Sequence, residues 1–127
     1  MTMQSEIKKH ISELEKTVKV RFPGLYVDFL AKIPKDEIYE IDNTGICFYS
    51  YSDLTERNET YEIKEYDSNY FLIGQEGDKG FFINTKDSGD ETIYSNGLGA
   101  IGSLTMKREA DNIFELETRL LDGKDTD

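Results

Sequence analysis

The chain has 127 residues, a formal net charge of −11 and one cysteine. That length predicts one domain spanning residues 1–127, large enough to bury a core without metal or disulfide. The composition excludes an internal disulfide and any apolar run near the ~18 residues of a membrane span. An acidic surface also argues against nucleic acid and anionic membranes as partners, because phosphates require a basic footprint.

The charge is uneven. Residues 1–35 hold seven Lys/Arg against four Asp/Glu, and residues 36–127 hold eight against twenty-two. A field of that sign attracts cations and basic proteins, although acidity also simply keeps a domain soluble. The opening MTMQSEIKKH lacks the apolar centre of a secretory signal, and with a lone Cys47 a cytoplasmic location is expected. The Asn58-Glu59-Thr60 glycosylation match is then a chance one.

In chain order, Ile7, Ile11, Leu14 and Val18 recur at spacings of four, three and four, which predicts a helix from about Gln4 to Val20. Pro23-Gly24 breaks it, and a shorter helix follows with Leu25, Phe29, Leu30 and Ile33 inward and Pro34 closing. Glu37–Asp42 and Ile46–Tyr51 read as strands joined by Asn43-Thr44-Gly45, with glycine available for a left-handed position. Residues 53–67 read as a short helix or helical loop, capped by Asp53 and lined inside by Leu54, Asn58 and Tyr61. Tyr70–Gly74, Gly80–Thr85 and Thr92–Ser95 predict a three-stranded meander at the sheet centre, since the first two are apolar on consecutive positions. Gly97, Gly99 and Gly102 make a corner, and Leu104–Lys107 is expected as an edge strand. A last helix starts at a cap on Asp111, buries Ile113, Phe114, Leu116, Leu120 and Leu121, and stops before Gly123. The expected fold is therefore α+β, a mainly antiparallel sheet of about five to six strands with N-terminal helices and a C-terminal helix packed on it.

Catalytic chemistry is sparse. His10 lies at the rim of the first helix's apolar face, and Cys47 sits inside a strand, so they read as a boundary histidine and an inert thiol. Asp87-Ser88-Gly89-Asp90-Glu91 lacks the ligand spacing of a calcium loop and reads as a hairpin loop. Gly97-Leu98-Gly99-Ala100-Ile101-Gly102 fits G-x-G-x-x-G, but a dinucleotide site needs a helix to open there within a βαβ unit, and Ser103-Leu104-Thr105-Met106 follows instead. No enzyme activity, cofactor or metal is expected. What remains is Asp53, Glu56, Glu59, Glu62 and Glu65 at every third residue, followed by Tyr66 and Asp67. Like charges at that spacing repel by a few tenths of a kcal/mol per pair, which a basic partner would relieve. These seven residues are the candidate partner-binding set, with Tyr66 as an anchor.

Phe71-Leu72-Ile73-Gly74, Gly80-Phe81-Phe82-Ile83-Asn84-Thr85 and Ile93-Tyr94 resemble the central block of the SUKH superfamily. Ala110-Asp111-Asn112-Ile113-Phe114-Glu115-Leu116 resembles its last helix, and Pro23-Gly24-Leu25-Tyr26-Val27-Asp28-Phe29-Leu30 its second. That superfamily holds fungal cell-wall-assembly regulators and bacterial immunity proteins. The resemblance implies an α+β fold without catalytic residues, and a cytoplasmic antitoxin that binds a cognate protein toxin, a nuclease in many cases. The alternative it implies is an intracellular scaffold or regulator. Residues 55–67 match nothing in the pattern, and there members of the family are expected to differ.

Overall fold

The computed structural model describes residues 3–42, 44–66, 68–99 and 106–123. Two helices, α1 (Met3–Val18) and α2 (Gly24–Leu30), precede the hairpin β1 (Ile38–Ile41) and β2 (Ile46–Tyr49). Two short helices follow, α3 (Leu54–Thr60) and α4 (Ile63–Tyr66). The meander is β3 (Tyr70–Glu76), β4 (Lys79–Asn84) and β5 (Ile93–Gly97), and β6 (Lys107–Ala110) and α5 (Ile113–Gly123) close the chain. The strands form one sheet in the order β1-β2-β3-β4-β5-β6, every neighbour antiparallel. The α+β expectation holds, and β3 and β4 occupy the sheet centre as their apolar runs require.

The register assigns the faces. Phe48, Gly74, Phe81 and Ser95 lie in one row across β2 to β5. Helices α2 and α5 cover that face: the Phe29 ring meets Phe48 at 5.4 Å and Phe114 at 5.8 Å. Leu72, Phe82 and Tyr94 form a row on the opposite face. Phe71, Leu72 and Ile73 on β3 and Phe81, Phe82 and Ile83 on β4 are all buried, so both faces of the central strands are covered. Gly74 makes the crowded row possible. A Cβ there would lie 2.5 Å from the Cys47 carbonyl and 2.6 Å from the Phe48 ring.

Several local expectations are corrected. In α2 the inward residue is Tyr26, 1 % exposed, while Leu25 is 37 % exposed, because the buried arc centres on Tyr26, Phe29 and Leu30 and Leu25 falls at its margin. In α5 Leu121 is 40 % exposed. That helix is capped by Asn112, not Asp111: the Asn112 side-chain oxygen accepts the Glu115 N–H at 2.9 Å, and the Glu115 carboxylate accepts the Asp111 N–H at 3.3 Å. Both positions carry cap-type side chains, and only the packing of Ile113 and Leu116 fixes the phase that selects one. The last strand is Lys107–Ala110, further along than expected, and Leu104 and Thr105 lie outside the described residues, as does Asn43 in the first hairpin. Gly45 there is left-handed at φ 76°. Of the expected glycine corner, Gly102 lies outside the described residues; the strand that follows β5, β6, pairs with it antiparallel, whereas the βαβ unit of a dinucleotide site needs a parallel strand.

Candidate partner-binding surface

The acidic stretch folds as two short helices rather than one. Glu62 adopts φ 53°, a left-handed conformation that ends α3 and restarts the helix at Ile63 with a new phase. Leu54 and Ile63 are therefore the buried pair, 0 % and 1 % exposed, and Asn58 and Tyr61 are half-buried. The sequence pattern missed Ile63 because the phase reset hides it.

Asn58 holds α3 in place. Strand β2 pairs with β3 only as far as Phe48 opposite Gly74, so Leu72 lacks a strand neighbour on that side. The Asn58 side chain takes that place: its oxygen accepts the Leu72 N–H at 2.8 Å and its amide nitrogen donates to the Leu72 carbonyl at 3.0 Å. The same nitrogen donates to the Leu54 carbonyl at 2.8 Å, tying the start of the helix to the clamp. An amide has the donor and acceptor side by side that a peptide group would supply, which is why Asn suits the position.

The candidate set divides into two groups on this frame. Asp53 occupies the cap position of α3 without making a cap bond; its carboxylate instead accepts from Ser50 Oγ at 3.2 Å. Glu56 is exposed and paired with Arg57 at 3.1 Å. Glu59, Glu62 and Glu65 are exposed, and none has an ion pair among the described residues. These three line one groove of about 520 Å³ between the end of α1 and α3–α4. Val18, Val20, Ile63, Tyr70 and Phe71 give it an apolar floor, and Lys19 and Lys64 share its rim. Tyr66 ends α4, and Asp67 lies outside the described residues. The groove was invisible in the sequence, since its two walls are some forty residues apart in the chain.

The remaining polar groups are engaged locally. His10 stacks on Tyr51 with ring centroids 5.4 Å apart, and its Nδ1 lies 3.4 Å from Glu13. Cys47 is half-buried, and burial pushes its thiol up. The Tyr26 phenol is raised far above its ordinary range by burial, and its hydroxyl has no hydrogen-bond partner among the described residues. Burial, reinforced by a bond to Glu117 at 2.6 Å, pushes Tyr39 up to about 12. In the loop between β4 and β5, burial acts to raise Asp90, but hydrogen bonds from Tyr94, Thr92 and Asn84 outweigh it and bring the carboxyl down to about 2. That carboxylate accepts from Tyr94 Oη at 2.6 Å, the Thr92 N–H at 3.0 Å and the Asn84 amide at 3.2 Å. Asp87 accepts the Gly89 N–H at 2.9 Å, and Glu91 reaches out of the loop to accept the Leu25 N–H in α2 at 3.3 Å. Among the described residues no group of three His, Cys, Asp or Glu could hold a metal, and no helix is long and apolar enough to cross a membrane.

Among the described residues, a six-stranded antiparallel meander with helices before and after it defines an α+β domain. Over residues 8–117 the chain matches the SMI1/KNR4 family (SUKH-1), and it belongs to that family. Comparison with curated proteins gives no match.

Proposed function

We propose that this protein is an immunity protein that binds a cognate protein toxin, a basic nuclease, through the α3–α4 groove and neutralises it. The observation that carries this reading is the trio Glu59, Glu62 and Glu65, exposed and without ion pairs among the described residues, on the rim of a groove with an apolar floor. Nuclease surfaces carry cations placed to grip phosphates, and carboxylates on a rim can occupy those cations. The apolar floor then excludes water around them, which raises the worth of each pair; close charge pairs at such interfaces couple by ~1.5–7 kcal/mol. The proposed interface also takes in Asp53 and Glu56 before the trio in the sequence and Tyr66 and Asp67 after it, although Glu56 must first give up Arg57. Membership of a family of immunity and regulatory proteins supports binding over catalysis. An inhibitor of this kind meets its toxin in the cytoplasm of the producing cell.

The test is coexpression with the product of the neighbouring reading frame, which this reading expects to be a toxin. Wild-type protein is expected to restore growth and to copurify at one to one. Glu59→Lys, Glu62→Lys and Glu65→Lys are each expected to weaken toxin binding by about ten- to a hundredfold at low salt, with unchanged thermal stability. Equal cell death with and without this chain overturns the immunity reading. Rescue that survives all three reversals removes the groove from the interface. A spread of weakly bound partners without rescue marks the scaffold instead.

A further inference from the structure

The two edges of the sheet are built differently. Edge strand β6 is closed by charge and by a helix. Glu109 binds both Lys79 and Lys107, at 3.3 and 3.5 Å, Arg108 pairs with Asp111, and the Glu109 backbone carbonyl accepts from Arg119 at 2.7 Å. Charged side chains and occupied backbone groups of this kind are what keep an edge from accepting another strand.

Edge strand β1 is less closed: Glu40 has no ion pair among the described residues, and α5 reaches the strand through the Tyr39 hydroxyl, which donates to Glu117 at 2.6 Å. The strand pairs with β2 alone, and no described element pairs with its outer side. Ile38 is 47 % exposed, the most exposed of the large apolar side chains described. Beside it lies a hollow of about 210 Å³ on the helical side of the sheet, lined by Phe29, Ile33, Pro34, Ile38 and Tyr39, with Lys32, Glu37 and Glu117 as its charged groups; the Lys32 ammonium sits 5.0 Å over the Phe114 ring. An added strand would pass directly over that hollow, because inward residues of neighbouring strands lie side by side. The charge along this edge has one sign. Glu37, Glu40 and Asp42 are exposed, and none has an ion pair among the described residues. A second copy would bring the same carboxylates against these, whereas a strand bearing lysine or arginine would pair with them.

We propose that the free edge of β1 accepts a strand from a basic partner protein, seating one of its apolar side chains in the hollow beside Ile38. Backbone hydrogen bonds would give this contact its strength and the hollow its register, as in other cases where a peptide extends a sheet. The site is separate from the α3–α4 groove and stands whether or not that groove binds a toxin.

The probe is a synthetic peptide of about ten residues, alternating lysine with valine and threonine around one central leucine, titrated into the isotope-labelled full chain. Backbone shifts and new amide protection at Ile38–Ile41, with side-chain shifts at Ile33 and Tyr39, are expected. Ile38→Lys and Glu40→Lys, both at exposed positions, are each expected to weaken binding about tenfold without lowering the melting temperature. A peptide of identical side chains with N-methylated backbone is expected not to bind. Shifts that fall on α3–α4, equal binding of the N-methylated peptide, or no binding at all would each overturn the proposal. So would a concentration-dependent dimer of the chain alone that protects the β1 amides, since the occupant would then be a second copy.

Discussion

At the level of single residues, the sheet centre tolerates very little. Gly74 sits where two neighbours fix the space, one of them the backbone carbonyl of Cys47, which cannot swing away as a side-chain tip could. Gly74→Ala is therefore expected to destabilise the fold by about 1–3 kcal/mol through overpacking, visible as a lower urea midpoint with an unchanged slope. Gly77 provides the contrast: nothing lies within 4 Å of its Cβ position, but φ is 56°, so the same substitution there strains the backbone and crowds no neighbour. Residue identity alone does not separate the two. The distinction between a glycine kept for space and one kept for conformation depends on what the fold brings alongside.

At the level of elements, the legible parts were those whose pattern is local. The Ile7, Ile11, Leu14 and Val18 spacing defines α1, and consecutive buried residues define β3 and β4, because each follows from one element facing one core. The α3–α4 segment was only half legible for two reasons. The left-handed Glu62 breaks the period, and Asn58 is chosen by a backbone group on a strand fourteen residues away. Asn58→Ala is expected to cost about 2–3 kcal/mol, since it strands the N–H and C=O of buried Leu72, and to raise amide exchange first in α3. Asn58→Asp keeps the acceptor and loses both donations, so an intermediate effect is expected at neutral pH. The β4–β5 loop gives a second test, in pH. Asp90 is held at about 2 against an ordinary 3.8, so its folded-state pKa is depressed. Its stabilisation is then fully present above pH ~4 and lost as pH falls through ~2. Because the carboxylate is partly exposed, about 1–2 kcal/mol is expected rather than the full shift. Urea midpoints of wild type and Asp90→Asn should differ by that amount at pH 7 and converge as the pH approaches ~2. A constant difference across that range would show that Asp90 acts through geometry and not through its charge.

At the level of the whole molecule, the governing quantity is the field of a net charge of −11 on a chain whose Lys and Arg are concentrated toward its start. Among the described residues lining the groove, the cations are Lys19, just past α1, and Lys64, so the three rim carboxylates outnumber them. Such a field acts at long range on the approach of a basic partner, whereas the apolar floor acts only after contact. The two contributions therefore separate in kinetics. Raising salt from 0.1 to 1 M shortens the screening length from about 10 to about 3 Å. The association rate with the toxin is expected to fall by ~10- to 10³-fold over that range, while the dissociation rate changes little. Combining Glu59→Lys, Glu62→Lys and Glu65→Lys should lower the association rate at 0.1 M and flatten its salt slope. Trimming the floor at half-buried Val20 with Val20→Ala should do the reverse, speeding dissociation and leaving the slope intact. Stopped-flow mixing at several salt concentrations separates these outcomes. A salt slope that the triple reversal leaves unchanged would mean that the field steering the partner comes from the rest of the acidic surface and not from the groove.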